Sequence, residues 1–197
     1  MNTRVGCLAG AVAGLLLVVP AANATLILNS PSAASFSGYD GQPASVTGVL
    51  TSGQAGTLAV LDPGTVTFTY LGNESGNVNR FDFSVGSQSL TESSALGTTI
   101  SGAVGSGVLG FSFTDVTTGG VFSNGSRAIV YVPNVSTGSY GSFQYVIGFN
   151  DNGSSDGDFD DFVVGVNFAS VPEPGTLALL GLGLAGLGLS RRRSTKA

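Results

Sequence analysis

The sequence predicts an all-β protein, an antiparallel β-sandwich of jelly-roll or immunoglobulin-like type with about eight or nine strands. Three observations carry that expectation. Short runs alternate apolar and polar residues, as in Thr65-Val66-Thr67-Phe68-Thr69-Tyr70 and Arg80-Phe81-Asp82-Phe83-Ser84-Val85. Turn-forming residues punctuate them, among them Asp62-Pro63-Gly64, Gly119-Gly120 and Asn124-Gly125. Between the two terminal segments no stretch repeats apolar residues at helical spacing.

Taken in order, the chain opens with Arg4, an apolar stretch from Leu8 to Val19, and the small residues Ala22-Asn23-Ala24. That order is a secretory signal peptide over residues 1–24, cleaved after Ala24 so that Thr25 becomes the first mature residue. Residues 25–170 are then one domain. Thr25–Asn29 is expected as its first strand, Ser30–Gly48 as a polar, proline-containing loop, and Val49–Leu61 as one or two further strands. Thr65–Tyr70 places Val66, Phe68 and Tyr70 on one face, and Arg80–Val85 does the same with Phe81, Phe83 and Val85. The two are joined by the loop Gly72–Asn79 in a long hairpin or a crossing between sheets. Thr98–Val104, Val108–Thr114 with Leu109, Phe111 and Phe113 inward, Ala128–Val132, Phe143–Phe149 and Phe162–Phe168 complete the set.

Charge narrows the function. The net charge is −5, but most of the seven bases lie near the termini. Between Thr25 and Ser170 only Arg80 and Arg127 stand against eleven acids, which excludes nucleic acid as a partner. Cys7 is the single cysteine and lies in the signal segment, so the mature domain has neither a disulfide nor a cysteine metal ligand. There is no histidine, and Lys196 is the only lysine, so triads, dyads and Ser/Lys pairs all lack a member. The expectation is a protein that is not an enzyme. The one catalytic arrangement with its residues present is a glycoside hydrolase pair, Glu74 or Glu92 with a loop aspartate, and it is kept as a remote alternative.

The tail, residues 171–197, has three parts. Val171-Pro172-Glu173-Pro174-Gly175 cannot be helical, because proline fixes its own φ and restricts the residue before it. An uncharged run from Thr176 to Leu189 follows, of about 14 residues, shorter than the roughly 17 to 25 that span a bilayer comfortably. Arg191-Arg192-Arg193 closes it with a cationic stop to transfer. Such a segment is expected as a short membrane-anchor helix, occupying the inner membrane transiently.

Pro172, Glu173 and Pro174, with the glycine-rich apolar run and the arginines behind them, resemble the PEP-CTERM tail of Gram-negative exoproteins. The resemblance implies recognition by an exosortase, cleavage near Pro-Glu-Pro, and delivery to the cell surface or extracellular matrix. It also implies an association with exopolysaccharide and biofilm production.

The concentrated chemical feature of the domain is Asn150-Asp151-Asn152-Gly153-Ser154-Ser155-Asp156-Gly157-Asp158-Phe159-Asp160-Asp161. Unscreened, its five carboxylates repel one another, whereas a hard dication gives their oxygens a reason to converge, and calcium is the natural candidate. The competing reading is a solvated acidic loop. Spacing excludes an EF-hand, since Asp161 stands where that loop demands glycine and Asn167 where it demands glutamate. Asp156–Val164 is also similar to the Asp-rich turn before an apolar strand in PEP-CTERM and related calcium-associated β-domains. Asp156, Asp158 and Asp161 are the first-choice ligands, followed by Asp160 and Asp151, with Phe159 and Phe162 turned inward.

Tyr70–Asn79 likewise resembles a turn after a strand in other exported PEP-CTERM proteins; its Glu74 either joins the acidic loop or caps a turn. Two non-catalytic functions follow: a structural component of the extracellular matrix, or a calcium-dependent carbohydrate-binding or adhesive module. The latter would use Tyr39, Tyr131, Tyr140 and Tyr145.

Overall fold

The structure is a computed structural model that describes residues 25–34, 46, 51–151, 157–171 and 179–187. Its strands are β1 (Leu26–Ala34), β2 (Gly53–Val60), β3 (Gly64–Gly72), β4 (Asn79–Phe83), β5 (Gln88–Thr91) and β6 (Thr99–Val104). They continue as β7 (Gly107–Val108), β8 (Phe111–Asp115), β9 (Gly120–Ser123), β10 (Ile129–Ser136), β11 (Ser142–Phe149) and β12 (Phe162–Ser170). Every pairing is antiparallel. One sheet has eight strands, ordered β1-β2-β10-β11-β12-β3-β6 with β7 also pairing on β2, and the other has four, β5-β4-β8-β9.

The sheets face each other across a phenylalanine core. Phe68 of the large sheet lies 4.7 Å from Phe81, 5.0 Å from Phe83 and 5.7 Å from Phe111 of the small one, ring centre to ring centre. Further along, Phe113 stacks on Phe149 at 4.8 Å and meets Phe162 edge-on at 6.0 Å. Tilted and edge-to-face rings dominate, the arrangement that the aromatic quadrupole favours. The inward sets expected for β3, β4 and the β7–β8 stretch are all buried, except that Val85 is only partly so.

β12 is buried on both faces over Phe162–Val166. On its second face Val163 clusters with Val46, Leu71, Val135, Phe143 and Val146. Hence a nearly continuous apolar run sits in an antiparallel sheet, where strict alternation is the commoner pattern. Gly165 belongs to this layer, since a Cβ there would stand 2.4 Å from the Phe143 ring.

Twelve strands among the described residues, rather than eight or nine, reflect local features. β5 and β9 were not expected, because each has few apolar residues to alternate: Gln88-Ser89-Leu90-Thr91 offers one. The stretch Val108–Thr114 divides where the chain passes from the large sheet to the small one, with the Leu109 amide still donating to the Leu58 carbonyl. β1 runs on through Pro31 because its register shifts between Asn29 and Ser32, with Ser30 at φ 51°, a bulge that removes the need for a proline N–H. β3 and β4 lie in different sheets, so their connection is a crossing.

Asn124 ties the layers together. Its Oδ1 accepts from the Leu58 amide at 2.9 Å and the Tyr131 hydroxyl at 2.7 Å, and its Nδ2 donates to the Leu58 and Leu109 carbonyls, both at 2.8 Å. Residues 179–187 form a short helix with every residue exposed. Among the described residues no helix is long and apolar enough to cross a membrane. The expected signal peptide, its Ala22 and Ala24, the Pro172-Glu173-Pro174 segment and Arg191, Arg192 and Arg193 lie outside the described residues.

Candidate metal centre

One end of the sandwich collects carboxylates from four places in the chain. β3 ends there at Gly72 and β12 starts there, with Gly72 opposite Val163. β4 begins and β8 finishes there, with Asn79 opposite Asp115. The loop between β11 and β12 and the end of β5 meet the same pole. Glu74, Glu92, Asp115, Asp151, Asp158, Asp160 and Asp161 therefore share a region that their sequence positions do not suggest.

Within it, Glu74, Asp158 and Asp160 each bring a carboxylate oxygen to within 4.8 Å of the other two. Asp160 is fully buried and Asp158 is 5% exposed, while Glu74 is exposed. Two ionised carboxylates at that separation repel by about 3 kcal/mol at an effective dielectric near 20. Calcium holds oxygens at 2.3–2.6 Å, so two of its ligands stand at most about 5 Å apart. The separation of the three oxygens fits one ion, and the donor set, all oxygen, suits a hard dication.

The surrounding loops are positioned by hydrogen bonds to two other aspartates. Asp161 closes the acidic loop on itself, its Oδ2 accepting from the Asp151 amide at 2.6 Å. Asp151 Oδ2 accepts from Ser75 Oγ at 2.5 Å and Asn79 Nδ2 at 2.6 Å, and its Oδ1 accepts from Asn77 Nδ2 at 3.2 Å. These bonds lash the β3–β4 crossing to the acidic loop, and Glu74 is thereby carried to Asp158 and Asp160. Asn77 also donates to Asp115 at 3.4 Å. Asp115 in turn caps the β8–β9 turn by accepting from the Thr117 and Thr118 amides at 2.9 and 3.1 Å. The Asn79 amide donates to Glu92 at 2.7 Å, and Asn79 Oδ1, fully buried, has no hydrogen-bond partner among the described residues. It is a spare oxygen donor in the same polar layer.

The acidic loop folds tightly over β11. Gly157 and Phe159 have φ of 71° and 60°, the left-handed region, which costs a phenylalanine more than a glycine. Phe159 is nonetheless held there, 8% exposed, with its carbonyl 2.3 Å from where a Cβ on Gly148 would be. Gly148 is thus the clearance that lets the loop lie down. Phe162, the next aromatic, is fully buried and 4.9 Å from the Tyr70 ring.

Of the five aspartates singled out from sequence, Asp158 and Asp160 stand in the oxygen cluster, and Asp161 and Asp151 in the hydrogen-bonded frame around it; Asp156 lies outside the described residues. Glu74 joins the cluster, the option that sequence left open beside turn capping. Gly148, Ser75, Asn77 and Asn79 were missed. Glycine inside the apolar run Phe143–Phe149 was a usable signal for close backbone approach; the asparagines gave none.

A second concave feature lies on the outer face of the four-stranded sheet, a cleft of about 600 Å³ lined by Arg80, Asp82, Ser84, Gln88, Ser112 and Ser123. Arg80 Nε donates to Asp82 at 2.7 Å across its floor. The tyrosines expected to form a glycan platform do not line it. Tyr131 is wholly buried, Tyr140 packs on the outer apolar layer of the large sheet, Tyr145 is partly buried in the main core, and Tyr39 lies outside the described residues.

Compared with known proteins, residues 170–193 match the PEP-CTERM protein-sorting motif. The match begins at the last residue of β12 and covers the tail, leaving the sandwich unmatched. Neither the curated proteins nor the solved structures gave a match.

Proposed function

From the premise that this chain is an exosortase substrate exported to the cell envelope by its PEP-CTERM motif, we propose that it is a non-catalytic, calcium-binding structural component of the surface or extracellular matrix of a Gram-negative bacterium, associated with exopolysaccharide. The observation that carries the calcium reading is the convergence of Glu74, Asp158 and Asp160 with two of the three carboxylates buried. Asp158 and Asp160 would hold the ion from the acidic loop and Glu74 from the β3–β4 crossing. Bound there, calcium offsets two of the three negative charges of the cluster and joins two loops that belong to different parts of the chain.

A non-catalytic role is supported by the placement of the acids. A glycosidase needs two carboxylates flanking an open cleft. Here the cleft on the small sheet holds one carboxylate, Asp82, already paired with Arg80, and Asp158 and Asp160 are buried at another site. The same cleft favours a second reading, a carbohydrate-binding or adhesive module, because serine hydroxyls, an amide and an Arg–Asp pair can exchange hydrogen bonds with a polyol.

Calorimetric titration of the full chain in detergent, stripped of divalent ions, tests the metal. One saturating calcium site is expected, abolished in Asp158→Asn with Asp160→Asn and weakened in Glu74→Gln. No heat at millimolar calcium would refute it. Mass spectrometry of the protein from culture medium and envelope tests the processing: a form from Thr25 to a residue between 172 and 175 is expected, and one intact to Ala197 would refute cleavage. Retention on the producing strain's polysaccharide, lost in Arg80→Ala, would favour the binding module over the structural role.

A further inference from the structure

The two ends of the domain leave from one place. The Leu61 amide donates to the Thr25 carbonyl at 3.4 Å, and the Val171 amide donates to the Pro63 carbonyl at 3.3 Å. The turn after β2 thus clips both the first mature residue and the residue that leads into the sorting tail. β12 starts at the acidic pole and ends here at Ser170, so its nine residues separate the two poles by about 26 Å at roughly 3.3 Å per residue.

The chemistry of this tail pole is opposite to that of the other. Leu61, Val108 and Val171 are 53%, 63% and 60% exposed. Val108 pairs with Ala59, two residues from Leu61, and Val171 bonds to Pro63, two residues beyond it, so the three side chains surround one turn. Thr25, Gly105, Ser106, Gly107 and Ser170 adjoin it, and Asp62 is the one charged side chain among the described residues there, beside the α-ammonium that cleavage before Thr25 would leave. Seven carboxylates among the described residues gather at the far pole.

The exposed leucines Leu179, Leu180, Leu182, Leu184 and Leu187 of the tail helix are the next apolar surface along the chain. From Val171 to residue 179 the backbone reaches at most about 28 Å even when fully extended. Once that helix enters a bilayer, the tail pole is tethered within about 28 Å of it, the exposed apolar side chains favour the lipid surface, and anionic lipid repels the acidic pole. The geometry points to an oriented, membrane-seated state: before its tail is removed, the domain rests on the lipid surface through Leu61, Val108 and Val171 and holds the Glu74–Asp158–Asp160 pole outward. This rests on the reading of the tail as a membrane segment and does not depend on calcium.

The chain has no tryptophan, so a single introduced one reports its own surroundings. Leu61→Trp, Val108→Trp, Val116→Trp and Val121→Trp chains that begin at Thr25 and keep the tail through Ala197 would be reconstituted into vesicles of phosphatidylethanolamine and phosphatidylglycerol carrying brominated acyl chains. Val116 is 49% exposed beside Asp115 at the acidic pole, and Val121 is 65% exposed on β9, so both accept the larger ring as readily as the test positions do. Several-fold stronger quenching at positions 61 and 108 than at 116 and 121 is expected, with all four chains floating with the vesicles. Flotation with equal quenching at all positions, or with none at 61 and 108, would overturn the orientation while leaving the tail's insertion intact. Failure to float would overturn both, and protein-concentration-dependent protection at 61 and 108 without bromine quenching would overturn the lipid seat in favour of self-association through this pole.

Discussion

The acidic pole and the tail pole are the two ends of the same strands, yet they are built on opposite terms. At the acidic pole, buried polar side chains decide the geometry: Asp151 is held by Ser75, Asn77 and Asn79, Asp161 closes the loop, and Asp158 and Asp160 face Glu74. At the tail pole, backbone bonds at Leu61 and Val171 and exposed apolar side chains suffice. One end crowds carboxylates together; the other carries apolar side chains and a single acidic one, Asp62, among the described residues. The difference suggests a division of labour in which one pole serves delivery and the other acts after release.

The sharpest way to break this comparison is through the core that the poles share. Phe113 packs against Phe149 and Phe162, the strand residues that flank the acidic loop, and against Phe81, whereas Phe68 packs against Phe81, Phe83 and Phe111. Phe113→Ala and Phe68→Ala should each cost about 3–5 kcal/mol in urea denaturation, the usual range for a buried phenylalanine. Only Phe113→Ala should also weaken calcium binding by calorimetry, because it removes support for β12 where the loop enters it. Equal losses of calcium affinity in both would mean that the acidic pole has no structural independence.

Calcium itself should act on one pole only. At a free concentration of 100 times its dissociation constant it would add about 2.7 kcal/mol to stability. Thermal melts with calcium and with chelator should therefore separate in the native protein and coincide in Asp160→Asn. Hydrogen exchange should slow at Asp151 and residues 157–161 and stay unchanged at Leu61 and Val171. Slowing at both poles would contradict the proposed division.

The two poles also offer a matched pair of glycines. A Cβ on Gly148 would stand 2.3 Å from the Phe159 carbonyl, and one on Gly64 2.4 Å from the Ala169 carbonyl. Each meets a backbone carbonyl, and at Gly64 the Phe168 ring also stands 2.5 Å away, so each Gly→Ala substitution should cost about 1–3 kcal/mol, in the range of overpacking. Gly148→Ala lifts the acidic loop and should abolish the calcium-dependent part of stability, while Gly64→Ala should leave it whole. Melts of both variants with and without calcium read the difference.

These pairs also show what sequence could and could not reveal. Alternation in β3, β4 and β8 exposed the inward phenylalanines because a strand's side chains must take turns. The acidic loop was legible because like charges crowded in sequence demand an explanation. Glu74 was placed by the partners of Asp151, asparagines whose identity in a loop carries no periodic signal. The common origin of the two exits was equally hidden, since it depends on strand order, and alternation says which face is buried but not which strand is the neighbour. The extended β12 puts the acidic loop and the start of the tail at opposite ends of one strand.

The smallest effect is silent at neutral pH and probes the acidic pole from its apolar floor. Burial, and secondarily the Glu92 carboxylate, raises the Tyr70 hydroxyl from the usual 10.0 to about 12. Tyr70 donates to Asn73 Oδ1 in the β3–β4 crossing, so ionisation removes that donor as well as placing charge beside Phe162. The folded protein keeps its proton to higher pH than the unfolded chain does. The stabilisation linked to this group is therefore complete below pH 10 and is lost as pH rises towards 12. Spectroscopic titration of Tyr70 should show this raised value in the native chain, and Glu92→Gln should bring it modestly towards 10. Tyr131, buried at the Asn124 junction, is raised by burial too, and no carboxylate contributes to its shift, so Glu92→Gln should leave it unchanged. A shift of both tyrosines in that variant would show that the charge at the acidic pole is felt throughout the sandwich.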